Sequence, residues 1–166
     1  MIVESRIPGV ALNVAWPYLT QADKASFKEQ ARKIVRLLDE QVPQPSTMIA
    51  AAMPSPSFVA ADLNPLGSKR LTDFEYALLF GETDDAGKAT RLGFAHNDLS
   101  ESNIIVQDGK IVGLVDWEVA GFFGLARAGK VHALCRTRKP GDFKNTSFSE
   151  EKIADLTFWN DLYVGV

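Results

Sequence analysis

The sequence predicts an α+β domain, mostly helical with one buried β-hairpin, on three observations. Apolar residues recur at three-to-four-residue spacing from Phe27 to Val42, as an amphipathic helix requires. Two runs rich in Ile and Val flank Asp108-Gly109, the pattern of a tight hairpin. A second helical pattern opens at Ser149. The 166 residues suit one domain of ordinary size.

Met1 to Ile7 alternates apolar and polar residues, which predicts a short strand ended by Pro8-Gly9; no hairpin partner follows nearby, so the strand is an orphan. Thr20 with Asp23 predicts a helix start, with Phe27, Ala31, Ile34, Val35, Leu38 and Val42 on its buried face. Lys28, Glu29, Arg32, Lys33 and Arg36 are assigned to water, and Pro43 ends the helix. Pro43, Pro45, Pro54, Pro56 and Pro65 predict a meandering surface loop. Thr72 and Glu75 have capping-box spacing ahead of a two-turn helix through Phe74, Ala77 and Leu78 to Gly81, with a polar loop on to Lys88.

The hairpin runs from Asn103 to Asp116, and its near-continuous apolar strands predict burial on both faces. After a glycine-punctuated stretch from Gly121 to Gly129, a basic loop containing Arg136, Arg138, Lys139 and Lys144 is expected up to Asn145. Ser149, Glu150 and Glu151 open the last helix, with Ile153, Leu156, Trp159 and Tyr163 on its buried side.

A composition of 46% hydrophobic and 23% charged residues excludes disorder and collagen-like repeats. The 18 Lys and Arg against 21 Asp and Glu leave a charge of −3, no footprint for gripping nucleic acid or an anionic membrane, so neither is an expected partner. No apolar run approaches the roughly 18–20 residues needed to cross a bilayer, no signal-peptide pattern is seen, and the single Cys135 cannot form an internal disulfide; a cytoplasmic location is the expectation. Cys135 and His132 read as packing residues, the first lacking an activating base and the second a companion metal ligand.

With Asp108-Gly109 as a two-residue turn, Asn103 should face Leu114, and Asp116 lies two residues beyond on the same face. Diagonal neighbours of that kind sit roughly 7–8 Å apart, close enough for two oxygen-bearing side chains to share a hard cation at about 2.1 Å from each. A Mg²⁺ site formed by Asn103 and Asp116 follows. Asp98, upstream in a tight loop, supplies a second carboxylate and a candidate base.

Taken whole, His96, Asp98, Asn103 and Asp116-Trp117-Glu118 form the pattern H-x-D-x4-N, then x12, then D-W-E. It resembles the aminoglycoside phosphotransferase and choline-kinase-like family, relatives of the protein kinases that phosphorylate small-molecule hydroxyls. The resemblance implies a protein-kinase-like C-terminal lobe, with ATP as co-substrate and Mg²⁺ as cofactor. It gives Asp98 the role of catalytic base, Asn103 and Asp116 that of Mg²⁺ ligands, and His96 a structural role in the catalytic loop. Asn97 stands where protein kinases usually carry arginine, and Trp117-Glu118 where they carry Phe-Gly, which favours a small-molecule hydroxyl acceptor over a protein.

Val3 to Gly9 resembles the interlobe hinge, so the backbone of Glu4, Ser5, Arg6 and Ile7 would receive adenine and residues 10–166 would form the lobe itself. Ala120 to Phe123 and Phe158 to Asp161 resemble later parts of fungal-type members. In that family a small sheet upstream of the hinge supplies a phosphate-covering loop and a lysine. This chain begins at the hinge, and Gly81 to Gly87 carries three acidic residues that would repel phosphate. Little or no activity is therefore expected from the chain alone, with self-association through the surface that sheet would cover.

A non-catalytic binding or regulatory remnant is the alternative. A metal-dependent hydrolase using His96, Asp98 and Asp116 is weaker, for want of further His or Cys ligands. Glu118 reads as an exposed loop carboxylate, and Trp16, Trp117 and Trp159 as core or rim aromatics in preference to a cation cage.

Overall fold

The computed structural model describes residues 6–41, 73–80 and 92–166. Glu4 and Ser5, the Pro-rich loop, Thr72, Gly81 and the polar loop to Lys88 lie outside the described residues.

Arg6 to Gly9 form no strand; β1 is Val10–Ala11. Met1 to Ser5 of the expected strand lie outside the described residues, and Pro8, which has no N–H to give to a ladder, stands just ahead of β1. Gly9, at φ 117°, passes so close to β3 that a Cβ would sit 2.5 Å from the Val106 carbonyl oxygen. From β1 the chain enters α1 (Leu12–Ala15) and a 3₁₀ turn, Trp16–Tyr18.

The next helix, α2 (Gln21–Asp39), is capped as its sequence requires. The Asp23 amide donates to Thr20 Oγ1 at 3.1 Å, and the Thr20 amide donates back to Asp23 Oδ2 at 3.0 Å. Phe27, Ala31 and Val35 are buried. The charged face departs from expectation, since Lys28, together with Lys24, is buried. The C-terminal segment lies across that face: Lys24 meets Asp155 at 2.6 Å and Lys28 meets Asp161 at 2.5 Å, while Arg32 donates to the Asp161 carbonyl at 2.9 Å. The lysine stems cover apolar surface and their ammonium groups lie over Trp16 and Phe158.

Beyond α3 (Asp73–Phe80) come β2 (Phe94–Ala95), β3 (Ile104–Gln107), β4 (Lys110–Leu114) and β5 (Gly121–Phe122). One antiparallel sheet has the order β1-β3-β4, and β2 pairs with β5 in a second. The hairpin turn has positive φ at both Asp108 (48°) and Gly109 (72°), as predicted.

Its register does not hold to the open end. Val106 faces Ile111, but Ile105 faces Gly113 and Ile104 faces Leu114, so Val112 is an extra bulged residue. Asn103 therefore lies opposite Val115, whose amide donates to the Asn103 carbonyl at 3.0 Å, and not opposite Leu114. Nor is the ribbon buried on both faces. β4 pairs on one side only among the described residues, and Val112 is 43% exposed, whereas Ile104 and Val106 on the central strand are buried.

α4 (Leu125–Val131) runs on into a π-type turn, His132–Arg136, so half of the expected basic loop is helical. Val131 packs with Leu79 and Phe123, which gives that helix its buried face. α5 (Glu150–Leu156) starts at the predicted Ser149 cap, but stops before Trp159 and Tyr163. Thr157 Oγ1 bonds back to the Ile153 carbonyl at 2.9 Å there, and successive turns carry Trp159 and Leu162 into the core beside Leu12, Phe27, Leu99 and Ile104. Among the described residues, no helix is long and apolar enough to cross a membrane.

Candidate functional site

The loop from His96 to Asn103 leaves β2 and returns into β3, so its ends are fixed by both sheets. β2 is itself tied to the end of α2, through the Phe94 amide donating to the Gln41 carbonyl at 3.0 Å. His96, Asn97, Asp98, Leu99 and Asn103 are all buried.

His96 Nε2 donates to the Val115 carbonyl at 2.9 Å, and its Nδ1 faces the Asp98 amide at 3.4 Å. The ring thereby stitches the loop to the strand end that precedes Asp116. Asn97 sits at φ 65°, an αL geometry asparagine tolerates, and neither end of its buried amide has a partner among the described residues.

Asn103 Nδ2 donates to the Asp98 carbonyl at 2.9 Å, which fixes the amide and leaves Oδ1 turned away, met by Ser102 Oγ at 3.3 Å. Asp116 lies one residue past the partner of Asn103, where a regular pleat would send it to the opposite face. It is exposed and held at φ 64°, outside the pleat altogether. An amide oxygen and a carboxylate are hard oxygen donors, so this pair fits Mg²⁺ in chemical type. Among the described residues, no three His, Cys, Asp or Glu gather into a metal-binding group.

Asp98 has a partner that no motif announces. Arg136, at the end of the π-type turn, brings Nε to 3.2 Å from Asp98 Oδ1, although that N–H is not aimed along a hydrogen bond, and its Nη1 donates to buried Glu75. The arginine thus joins α3, the π-type turn and the His96–Asn103 loop. Asp98 also acts at a distance on Tyr163, whose hydroxyl is pushed upward by burial and then by that carboxylate. Glu101 is raised by burial, with Asp155 adding to the effect.

Trp117 covers the loop, its ring 4.4 Å from that of His96 and stacked near Phe94, while its Nε1 donates to the Leu114 carbonyl at 3.1 Å. On the far side, Trp159 Nε1 donates to the Leu99 carbonyl at 2.9 Å. Ile7, from the N-terminal segment, lies across β4, where a Cβ on Gly113 would approach it to 2.7 Å.

Burial lowers both His96 and His132, against the opposing pull of a backbone carbonyl and nearby carboxylates; Arg136 lowers His132 further. Each ring turns Nε2 to a backbone carbonyl, that of Val115 for His96 and that of Trp159 for His132. The unfolded chain binds these protons more readily, so their contribution to stability is complete above about pH 6.5 and is lost as pH falls toward the depressed folded values. Thermal melts from pH 7.5 to 5 should show Tm falling below about 6.5. A Tm that rises on acidification through that window would contradict the burial of these rings.

Residues 6–122, well over half of the chain, match the family model of the phosphotransferase enzyme family. No curated protein and no solved structure matches the chain.

Proposed function

Since the chain belongs to the phosphotransferase enzyme family, we propose that it is the C-terminal lobe of an ATP-dependent enzyme that phosphorylates a hydroxyl of a small molecule. One observation carries this reading: the Asn103 amide is bonded to the Asp98 carbonyl, which ties the two ends of the proposed catalytic loop together, while the Asn103 carbonyl accepts from Val115, the residue before Asp116.

In this reading Asp98 orients the acceptor hydroxyl and takes its proton as the acceptor oxygen bonds to the γ-phosphorus, while the bond from that phosphorus to the leaving ADP oxygen breaks. Asn103 Oδ1 and the Asp116 carboxylate would hold Mg²⁺, which when bound neutralises charge on the phosphates. The backbone at Arg6 and Ile7 would receive adenine. His96 and Trp117 keep the loop in register, and Trp117 covers part of it from water.

A second reading, a binding module without catalysis, has one observation in its favour: Arg136 already occupies a side of Asp98. Titration calorimetry with Mg·ATP separates the two. The enzyme reading expects saturable binding below about a millimolar Kd, weakened at least roughly tenfold in Asp116→Asn, as loss of a charged ligand implies. No heat at millimolar nucleotide would leave only the binding module.

A further inference from the structure

Arg136 comes to Asp98 from a stretch whose geometry is itself uncommon. After α4 the chain widens at His132–Arg136 into a π-type turn, a form that recurs at functional sites. His132, one turn ahead of Arg136, is buried, and its Nε2 meets the Trp159 carbonyl at 3.1 Å. Arg136 leaves the turn on that inward side.

The guanidinium is held at both ends. Its Nη1 donates to Glu75, a buried residue of α3, and its Nε lies 3.2 Å from Asp98 Oδ1. The side chains of Glu75, Arg136 and Asp98 are 7%, 18% and 12% exposed, so water and salt screen these contacts little. The Glu75 end is firmly seated. Leu79, one turn further along α3, is buried against Phe123 and Val131, and its carbonyl accepts from Arg127 Nη1 at 2.8 Å. The Asp98 carboxylate, by contrast, accepts no hydrogen bond among the described residues, which leaves the arginine contact to constrain it.

We infer that Arg136 is a positioning residue for Asp98: anchored on Glu75, it draws in Oδ1 and sets the side-chain rotamer, leaving Oδ2 to take the acceptor's proton. A carboxylate without such a partner samples several staggered wells, and only a matching one serves a hydroxyl held beside it. An arginine on one oxygen thus orients the carboxylate without covering the other. This inference rests on the phosphotransferase reading for what Asp98 does, and on the contact alone for how Asp98 is held.

The first test needs no turnover. Three-bond NMR couplings to Asp98 Cγ in the isotope-labelled full chain report its χ1 populations. The unaltered protein should hold one dominant rotamer, and Arg136→Gln should average it toward the roughly one third that equal staggered wells would give. Arg136→Lys keeps the charge but loses the paired donors, so it should lie between the two. Where Arg136→Gln does not hold the fold, Glu75→Gln replaces it and should loosen Asp98 in the same direction. Averaging already present in the unaltered protein, or a rotamer unchanged in the variant, would overturn the inference.

The second test supplies the family's upstream sheet together with this lobe and reads turnover. Arg136→Gln should lower kcat by about tenfold or more, with the KM for nucleotide unchanged within about twofold. In an Asp98→Asn background the same substitution should have almost no effect on kcat, since it acts through that carboxylate. An equal loss in both backgrounds would make Arg136 a structural residue, and a gain in turnover would make it a blocking group; either overturns the inference. No turnover in any form, with the rotamers as expected, upholds the positioning and removes the enzyme reading.

Discussion

With the family's upstream sheet supplied together with this lobe, replacing Asp98 with Asn should lower acceptor phosphorylation by about 10²–10⁴-fold, the usual range for loss of a positioned general base. Mg·ATP affinity should be unchanged within a factor of about two, because the partner of the Asp98 carboxylate among the described residues is Arg136, not a proposed metal ligand. Its link to Asn103 runs through the backbone carbonyl, which the substitution retains. Steady-state assays with a coupled ADP readout, set beside nucleotide calorimetry, provide both numbers. Turnover equal to that of the unaltered protein would remove Asp98 as the base. A parallel loss of nucleotide binding would point to a collapsed loop instead.

Trp159→Ala should be the most damaging single change to the fold. The side chain is 3% exposed, packs at 5.9 Å from Trp16 in edge-to-face contact, and donates to the Leu99 carbonyl. Its own carbonyl accepts from His132, so one residue links the C-terminal turns, the π-type turn and the His96–Asn103 loop. Truncating a buried tryptophan costs about 3–5 kcal/mol. At roughly 2–4 °C per kcal/mol for a chain of this length, Tm should fall by roughly 6–20 °C in calorimetry. Trp159→Phe keeps most of the packing and loses the donor, so it should lie between the two. A change below about 2 °C for the alanine variant would mean that the C-terminal turns do not support the loop.

Much of this was legible in the chain itself, for reasons that can be assigned. Thr20 with Asp23, Asp108-Gly109 and Ser149 are local signals, each settled by a few adjacent backbone groups, and all three appear where expected. What depends on distant partners was not legible. Lys24 and Lys28 look like solvent residues until Asp155 and Asp161 arrive from the other end of the sequence. The bulge at Val112 leaves no mark in an apolar run, yet it moves the partner of Asn103 from Leu114 to Val115 and so alters the geometry on which the metal pair was first argued. The left-handed backbone at Asp116 then carries that carboxylate out of the pleat, a feature periodicity cannot encode.

Within the site, the motif spacing picked out His96, Asp98, Asn103 and Asp116 but gave no hint of Glu75 and Arg136. The sequence places Arg136 in a basic loop. The only available signal was the buried pair Val131 and His132 just ahead of it, which marks that stretch as packed helix. Trp159 was placed on the correct side of the core but on the wrong element, because Thr157 ends α5 early.

The central claim is that Asn103 and Asp116 hold one divalent ion next to Asp98. Manganese in place of magnesium, added with ATP to isotope-labelled protein, tests it through paramagnetic broadening of assigned NMR signals. Broadening confined to the resonances of residues 96–103 and 115–118, and abolished in the double variant Asn103→Ala, Asp116→Asn, is the expected result. Broadening spread evenly over surface carboxylates, or retained in that variant, would contradict it.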